Sequence, residues 1–179
     1  PDISVREAKE RVRTAIRNSN IDFQSKRIIV NLSPADTKKE GSSFDLPIAI
    51  ALLIASGMLH QERVENHMII GELGLNGEIK FVGGVLPLVL EAKERGIKTC
   101  IVPAENAKEG AAVQGINVIG LSSLSDVIRY FQMDEVERRC SFIPSGLDVD
   151  ELFRTKEYLF DCDFFQVSGE EHVKRAVEI

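Results

Sequence analysis

Eleven consecutive residues, Leu46 to Ser56 (LPIAIALLIAS), carry no charge and only one hydroxyl, at the last position. A helix built from them has no polar face, so the rest of the chain must enclose it on most sides. Pro47 lacks an N–H and is tolerated only in a first turn, which places the helix start close to Asp45. Gly57 is the stop signal. The uncharged run is far shorter than the ~18 apolar residues of a membrane span, so it predicts a core helix over Asp45 to Ser56. Leu46, Ile48, Ile50, Leu53 and Ile54 are expected in the core. So are Ile28, Val30, Ile69, Ile101 and Val118, from the short apolar runs elsewhere.

The rest of the chain supplies enough material for that enclosure. It has 179 residues, of which 44% are hydrophobic and 28% charged. That composition belongs to a globular domain, and the length to one domain with a tail. The first residue is Pro1 rather than Met, and the expectation is a piece of a longer protein. Cys100, Cys140 and Cys162 are odd in number and form no CxxC, which points to a reduced, cytoplasmic protein rather than a disulfide framework.

Secondary-structure signals alternate along the chain. Ser4 to Ser19 reads as a helix, with Val5, Ala8, Val12, Ala15 and Ile16 in one stripe and Ser4/Glu7 as a capping-box pattern. Arg27 to Leu32 reads as a strand and Ser33 to Ser43 as a loop. His67 to Leu73 and Glu78 to Val82 read as a hairpin around Asn76-Gly77. Gly71, Gly74 and Gly77 recur around that hairpin, so they are assigned to turn chemistry. Helices over Val85 to Arg95, Ala104 to Gln114 and Ser123 to Phe131 alternate with strands over Lys98 to Val102 and Ile116 to Gly120. This is the pattern of an α/β fold with helices layered on a mixed sheet. The polar, irregular stretch from Met133 to Pro144 reads as a linker.

The charge is uneven. Residues 1–39 hold nine Lys/Arg and five Asp/Glu, whereas the remainder holds 13 and 23, for a total of −6. A basic end on an acidic body suits either a solvated helix face or a phosphate-contacting surface. The nucleic-acid-binding candidates are Arg6, Arg11, Arg13, Lys38 and Lys39. No aromatic residue interleaves with them before Phe23, so the stacking platform of a single-strand binder is missing.

Catalytic and cofactor motifs are few. His60, His67 and His172 have no metal-pair spacing, and no metal site is expected. There is no GxxxxGK[ST] loop, so no nucleotide cofactor is expected in this stretch. The segment Lys38-Lys39-Glu40-Gly41-Ser42-Ser43-Phe44-Asp45 runs into the apolar helix. Amides at such a helix start favour an anion, and a serine there becomes a nucleophile only beside a lysine of lowered pKa. The plainer reading is that Ser42, Ser43 and Asp45 cap the helix.

Two resemblances rest on these segments. Lys39 to Gly57 resembles the active-site stretch of Lon-type proteases, and residue-by-residue matching puts Ser43 on the nucleophile. The stretch GELGLNGEIKFVGGVLPLVLEAKERGIKTCIVPAEN (Gly71 to Asn106) resembles the one that carries the Lon lysine. That position holds Leu86 here, so the resemblance implies the Lon-like fold (the type of the second domain of a ribosomal small-subunit protein) without a catalytic residue. The wider pattern joins PDISVREAKERVRTAIRNS, RIIVNLSPADTKKEGSSFDLPIAIALLIASG, GELGLNGEIKFVGGVLPLVLEAKERG and VPAENAKEGA. It is similar to the N-terminal domain of the magnesium-chelatase-like ComM/YifB family of AAA+ ATPases. That resemblance implies a Lon-like domain over 1–132, a linker with short helices over 133–162 and the start of an ATPase module over 163–179. For the full-length protein it implies a homo-hexameric, ATP- and magnesium-dependent DNA-remodelling motor of the cytoplasm, acting in recombination and transformation. This domain would work with its own ATPase module and with DNA, and not with a membrane. A Lon-like serine peptidase using Ser43 and an unidentified lysine is the alternative. Porphyrin handling has no support in the residues, because no His/Cys/carboxylate cluster occurs.

Overall fold

The computed structural model describes residues 3–19, 21, 29–30 and 42–146, and of residues 3–6 the backbone only. The chain divides into two units, Pro1–Leu147 and Asp148–Ile179, and the elements below all belong to the first.

The apolar run forms helix α2, Asp45–Ala55, with Leu46, Ile48, Ala49, Ile50 and Leu53 buried. Ile54, also expected in the core, is partly buried against it. Pro47 lies in the first turn. The helix ends in a Schellman motif, in which the Gly57 N–H donates to the Ile54 carbonyl (2.9 Å) and the Met58 N–H to the Leu53 carbonyl (2.9 Å). Helix α1, Ile3–Asn18, lies against α2 and buries Ala8, Val12, Ala15 and Ile16. The expected stripe is therefore the contact face, apart from Val5, whose side chain is outside the described set.

After the short helix α3 (Gln61–Val64), the expected strand from His67 to Leu73 is split in two. Its first part, β1 (His67–Ile69), pairs in parallel with β4 (Thr99–Pro103), which pairs in parallel with β5 (Asn117–Leu121). Its second part, β2 (Glu72–Leu73), pairs antiparallel with β3 (Ile79–Lys80) in a separate small sheet. Among the described residues, the parallel and antiparallel strands thus belong to two sheets rather than one mixed sheet.

The break falls at Gly71, whose amide donates to the Ser43 carbonyl and whose carbonyl accepts from the Leu46 N–H, both at 3.0 Å. A Cβ at Gly71 would stand 2.9 Å from Ile79 Cγ2 and 3.1 Å from Leu46 Cδ2. This glycine therefore serves close packing against the start of α2, and turn chemistry alone does not account for it. Gly77 does match the turn reading. Its φ is +84°, and its N–H closes the turn onto the Gly74 carbonyl at 2.9 Å.

Helices α4 (Val85–Glu94) and α5 (Ala107–Ala111, preceded by the 3-10 turn Ala104–Asn106) and helix α6 (Leu124–Gln132) complete the layers. Strand alternation divides the core in two. Ile101, Ile119 and Leu121 face α1, α2 and α6, whereas Cys100, Val102 and Val118 face α4 and α5. Ile101 and Val118 are buried as expected, and Ile69 is half-buried.

Val30 is a correction. It is 43% exposed and Ile29 is 85% exposed, and neither lies in a strand. A β-branched run is held as a strand by a pairing neighbour, and among the described residues none pairs with these two. Ile28, the rest of that expected strand and most of the Ser33 to Ser43 loop lie outside the described residues. Within the Met133 to Pro144 stretch the chain forms helix α7, Glu135–Ser141. Asp134 and Glu137 cap it reciprocally, which the sequence reading of this polar stretch as irregular had not resolved.

Leu53 is fully enclosed, so Leu53→Ala removes apolar contacts on every side of α2. It is expected to cost about 2–5 kcal/mol of unfolding free energy. A urea midpoint that falls with an unchanged slope bears this out, and an unmoved midpoint contradicts it.

Candidate functional site

The candidate site is the head of α2, where the sequence places Ser43. Asp45 opens the helix and is completely buried. A bare carboxylate at that depth is costly, and Arg11 neutralises it. Arg11 lies three residues after Ala8 and four before Ala15, at the edge of the buried stripe of α1. Its Nε donates to Asp45 Oδ2 at 2.9 Å and its Nη2 to Oδ1 at 3.2 Å. The Leu73 N–H donates to the same carboxylate at 3.5 Å. Asp45 therefore ties α1, α2 and β2 together instead of capping the helix. The Asp45 carboxylate, by accepting from the guanidinium, raises the Arg11 pKa above its usual value, so the guanidinium keeps its charge.

The amides at this helix start are already used. The Asp45 N–H donates to the Ser42 carbonyl, the Leu46 N–H to the Gly71 carbonyl and the Ile48 N–H to the Phe44 carbonyl, each at 3.0 Å. Pro47 has none to offer. Phe44 occupies the cap position and makes no side-chain cap bond. The head of α2 thus differs from an open anion cradle. Ser42 is also engaged, its hydroxyl donating to the Glu72 carboxylate.

Ser43 is half-buried, and its carbonyl accepts the Gly71 N–H. Among the described residues no lysine is hydrogen-bonded to its hydroxyl. Leu86, which the Lon resemblance would match to the lysine, is 37% exposed in the first turn of α4. Its N–H donates to Glu109 Oε1 at 3.0 Å. The buried Asn106 holds the other oxygen, Nδ2 donating to Glu109 Oε2 at 2.9 Å, and pairs with both the N–H and the carbonyl of Val82. A carboxylate therefore satisfies an amide in the first turn of α4.

Of the nearby lysines, Lys80 is exposed on β3 in register with Glu72, and the Lys93 ammonium lies beside Gly115. A surface hollow of about 520 Å³ next to β3 is lined by Glu72, Glu78 and Glu105 against Lys80. That acidic balance does not suit phosphate.

The structure describes only part of the basic set. Arg6 lies in the first turns of α1, Arg13 is on its exposed face, and Arg11 is committed to Asp45. Lys38 and Lys39 lie outside the described residues. His60 is exposed and His67 half-buried, and His172 is outside the described set. Among the described residues no group of three or more His, Cys, Asp or Glu is gathered for a metal ion. Sequence reasoning missed the Arg11–Asp45 pair. Its available signal was a single acid ahead of an uncharged helix and a base on the flank of an apolar stripe.

Comparison with known proteins identifies the family of the chain. The model of the family described as subunit ChlI of Mg-chelatase matches residues 1–106. The chain belongs to this magnesium-chelatase subunit family. Within it, the chain is 36% identical to the competence protein ComM of Haemophilus influenzae, over 100% of this chain and 34% of that protein. It is also 36% identical to YifB of Salmonella typhimurium, over 100% of this chain and 33% of that protein. The chain spans about a third of the length of these relatives. A weaker similarity, 29% identity over 109 residues, joins it to the archaeal Lon protease of Methanocaldococcus jannaschii, covering 61% of this chain and 16% of that protein. The chelatase-like ComM/YifB assignment read from the sequence motifs thus stands.

Arg11→Ala leaves Asp45 buried without its counter-charge, and is expected to destabilise the domain by about 3 kcal/mol. Asp45→Asn, which leaves only a half-exposed guanidinium, should cost less. Urea denaturation of both variants and of the double variant measures the coupling, and equal, additive losses would contradict the pairing.

Proposed function

We propose that this chain is the non-catalytic, Lon-like N-terminal domain of a magnesium-chelatase-like ATPase. In this reading it assists ring assembly or DNA engagement by an ATP-driven DNA-remodelling motor of recombination and transformation. The observation that carries the reading is the alignment of the whole chain with a protein named for competence. The hydrocarbon of Leu86 at the Lon lysine position supports the non-catalytic part. The weaker Lon similarity supports the finer fold assignment. ATP, magnesium, the adjoining ATPase module, a homo-hexamer and a cytoplasmic setting belong to the same proposal for the full-length protein. No helix among the described residues is long and apolar enough to cross a membrane.

For DNA engagement, Arg6, Arg13, Lys38 and Lys39 are the contacts on phosphate, and Arg11 contributes by fixing α1 on the body. The overall charge of −6 means that the domain adds to DNA binding by the full-length protein rather than binding tightly by itself. Replacing those four residues by alanine in the full-length protein should weaken its binding to branched DNA and flatten the salt dependence, as read by fluorescence anisotropy. Unchanged affinity and slope would remove this surface from the proposal.

A second reading, a serine peptidase using Ser43, is favoured by the position of that hydroxyl at the head of α2 and by the Lon similarity. A hydroxyl without a general base is a weak nucleophile, so a fluorophosphonate probe should leave Ser43 unlabelled. Labelling that disappears in Ser43→Ala would establish the peptidase instead.

A further inference from the structure

Helix α7 is attached to the body in an unusual way. None of its residues is buried, and Val136 (74% exposed) and the following Ile143 (79% exposed) face solvent. A helix this short gains little from its own backbone bonds, so its docking depends on a few side chains. The Phe142 ring meets Tyr130 edge-on, with centroids 5.3 Å apart. The Arg138 guanidinium lies over the Tyr130 ring at 4.7 Å, and Arg129 over Phe142 at 5.3 Å. Arg138 Nη2 also donates to the Met133 carbonyl at 3.3 Å, while its Nε is buried without a partner.

Tyr130 in turn rests on His67. The rings are edge-to-face at 5.7 Å, and Phe131 meets each of them at 5.2 Å. His67 Nδ1 is 2.9 Å from the Glu65 carbonyl, and Nε2 is 3.2 Å from the Tyr130 hydroxyl. A carbonyl only accepts, so Nδ1 carries the proton. In the neutral ring Nε2 is then a lone pair, and the Tyr130 O–H donates to it. The Glu65 carbonyl thus sets the direction of the bond between Tyr130 and His67.

We propose that neutral His67 is a proton-operated latch for α7, and that a proton added at Nε2 releases Glu135 to Phe142 from the body. The added N–H stands where the Tyr130 O–H points, so the hydroxyl must turn its own hydrogen away. The same event puts a positive imidazolium near Arg138, the cation that holds α7. Around His67 the backbone of Glu65 and of Val64 favours the protonated ring, and among the described residues no carboxylate faces it to balance Arg138. The Glu65 carbonyl faces it from the end of α3, Tyr130 and Phe131 from α6, Arg138 from α7, and Thr99 pairs with it from β4. The acids of α7 are engaged elsewhere, Glu135 with Arg139 and Glu137 in the cap with Asp134.

Burial lowers the His67 pKa below its ordinary 6.5; the backbone bond to Glu65 opposes the shift and the Arg138 charge adds to it. Burial raises that of Tyr130, so its hydroxyl keeps its proton. The docked state therefore binds fewer protons than the undocked state. Docking is complete above 6.5 and is lost as pH falls through the lowered value.

Cys140 is exposed on α7, whereas burial pushes the Cys100 thiol up to about 11 and leaves it unreactive. An environment-sensitive dye on Cys140, in the full 179-residue chain carrying Cys162→Ser, reports docking between about pH 8 and pH 5. The expected result is a reversible transition centred below 6.5, with the far-ultraviolet circular dichroism of the body nearly unchanged. His67→Phe should abolish it. Tyr130→Phe keeps the ring but removes the donor that favours the neutral imidazole, so it should move the midpoint upward. A transition that persists in His67→Phe, an unmoved midpoint in Tyr130→Phe, or no transition in the parent chain would overturn the latch.

Discussion

The structure turns on one buried charge. An uncharged helix needs cover on most sides, and α1, the small hairpin and the parallel sheet supply it around α2. At the point where these elements meet stands Asp45, completely enclosed. Its two oxygens take the fork of Arg11, and one of them also receives the Leu73 N–H. A hydrophobic contact alone would let α1 slide along α2. A bidentate pair fixes both its register and its rotation, because the guanidinium and carboxylate planes must coincide.

The same junction uses the polar groups at the head of α2. The first amides of the helix are occupied by Ser42, Phe44 and Gly71 carbonyls, and Ser42 leans on Glu72. The first turn of α4 presents Leu86 outward and is capped by Glu109, which Asn106 holds in place. Acid side chains surround the adjoining hollow. Among the described residues lining that hollow, three carboxylates stand against the single ammonium of Lys80, a balance that does not attract phosphate. The polar groups described around Ser43 hold α1, α2 and the small hairpin together.

Where local pattern and tertiary demand agree, the sequence was a good guide. The Asn76-Gly77 turn, the stop at Gly57 and the stripe of α1 all appear where their periodicity and punctuation put them. The failures share a cause. His67 to Leu73 has the composition of one continuous strand, yet Gly71 must lie against Leu46 and Ile79, and the strand changes sheet there. Val30 has the right side chain for a core strand, but burial depends on a neighbour that composition does not specify. The polar residues before Pro144 lack an apolar stripe, and α7 forms nonetheless, because the cap at Asp134 and a few ring and cation contacts replace one.

By itself the sequence determined where α1, α2, α4 and α6 and the Asn76-Gly77 turn form, that α2 lies inside, and which family the chain belongs to. These follow from spacing over a few residues and from motifs that stay contiguous. Only the tertiary structure decided that Arg11 serves Asp45, that Glu109 reaches the amide of Leu86, and that His67 faces Tyr130. Those partners lie 34, 23 and 63 residues apart. The chain writes each residue down without its partner, and only packing, which brings distant faces together at fixed distance and orientation, assigns one to the other.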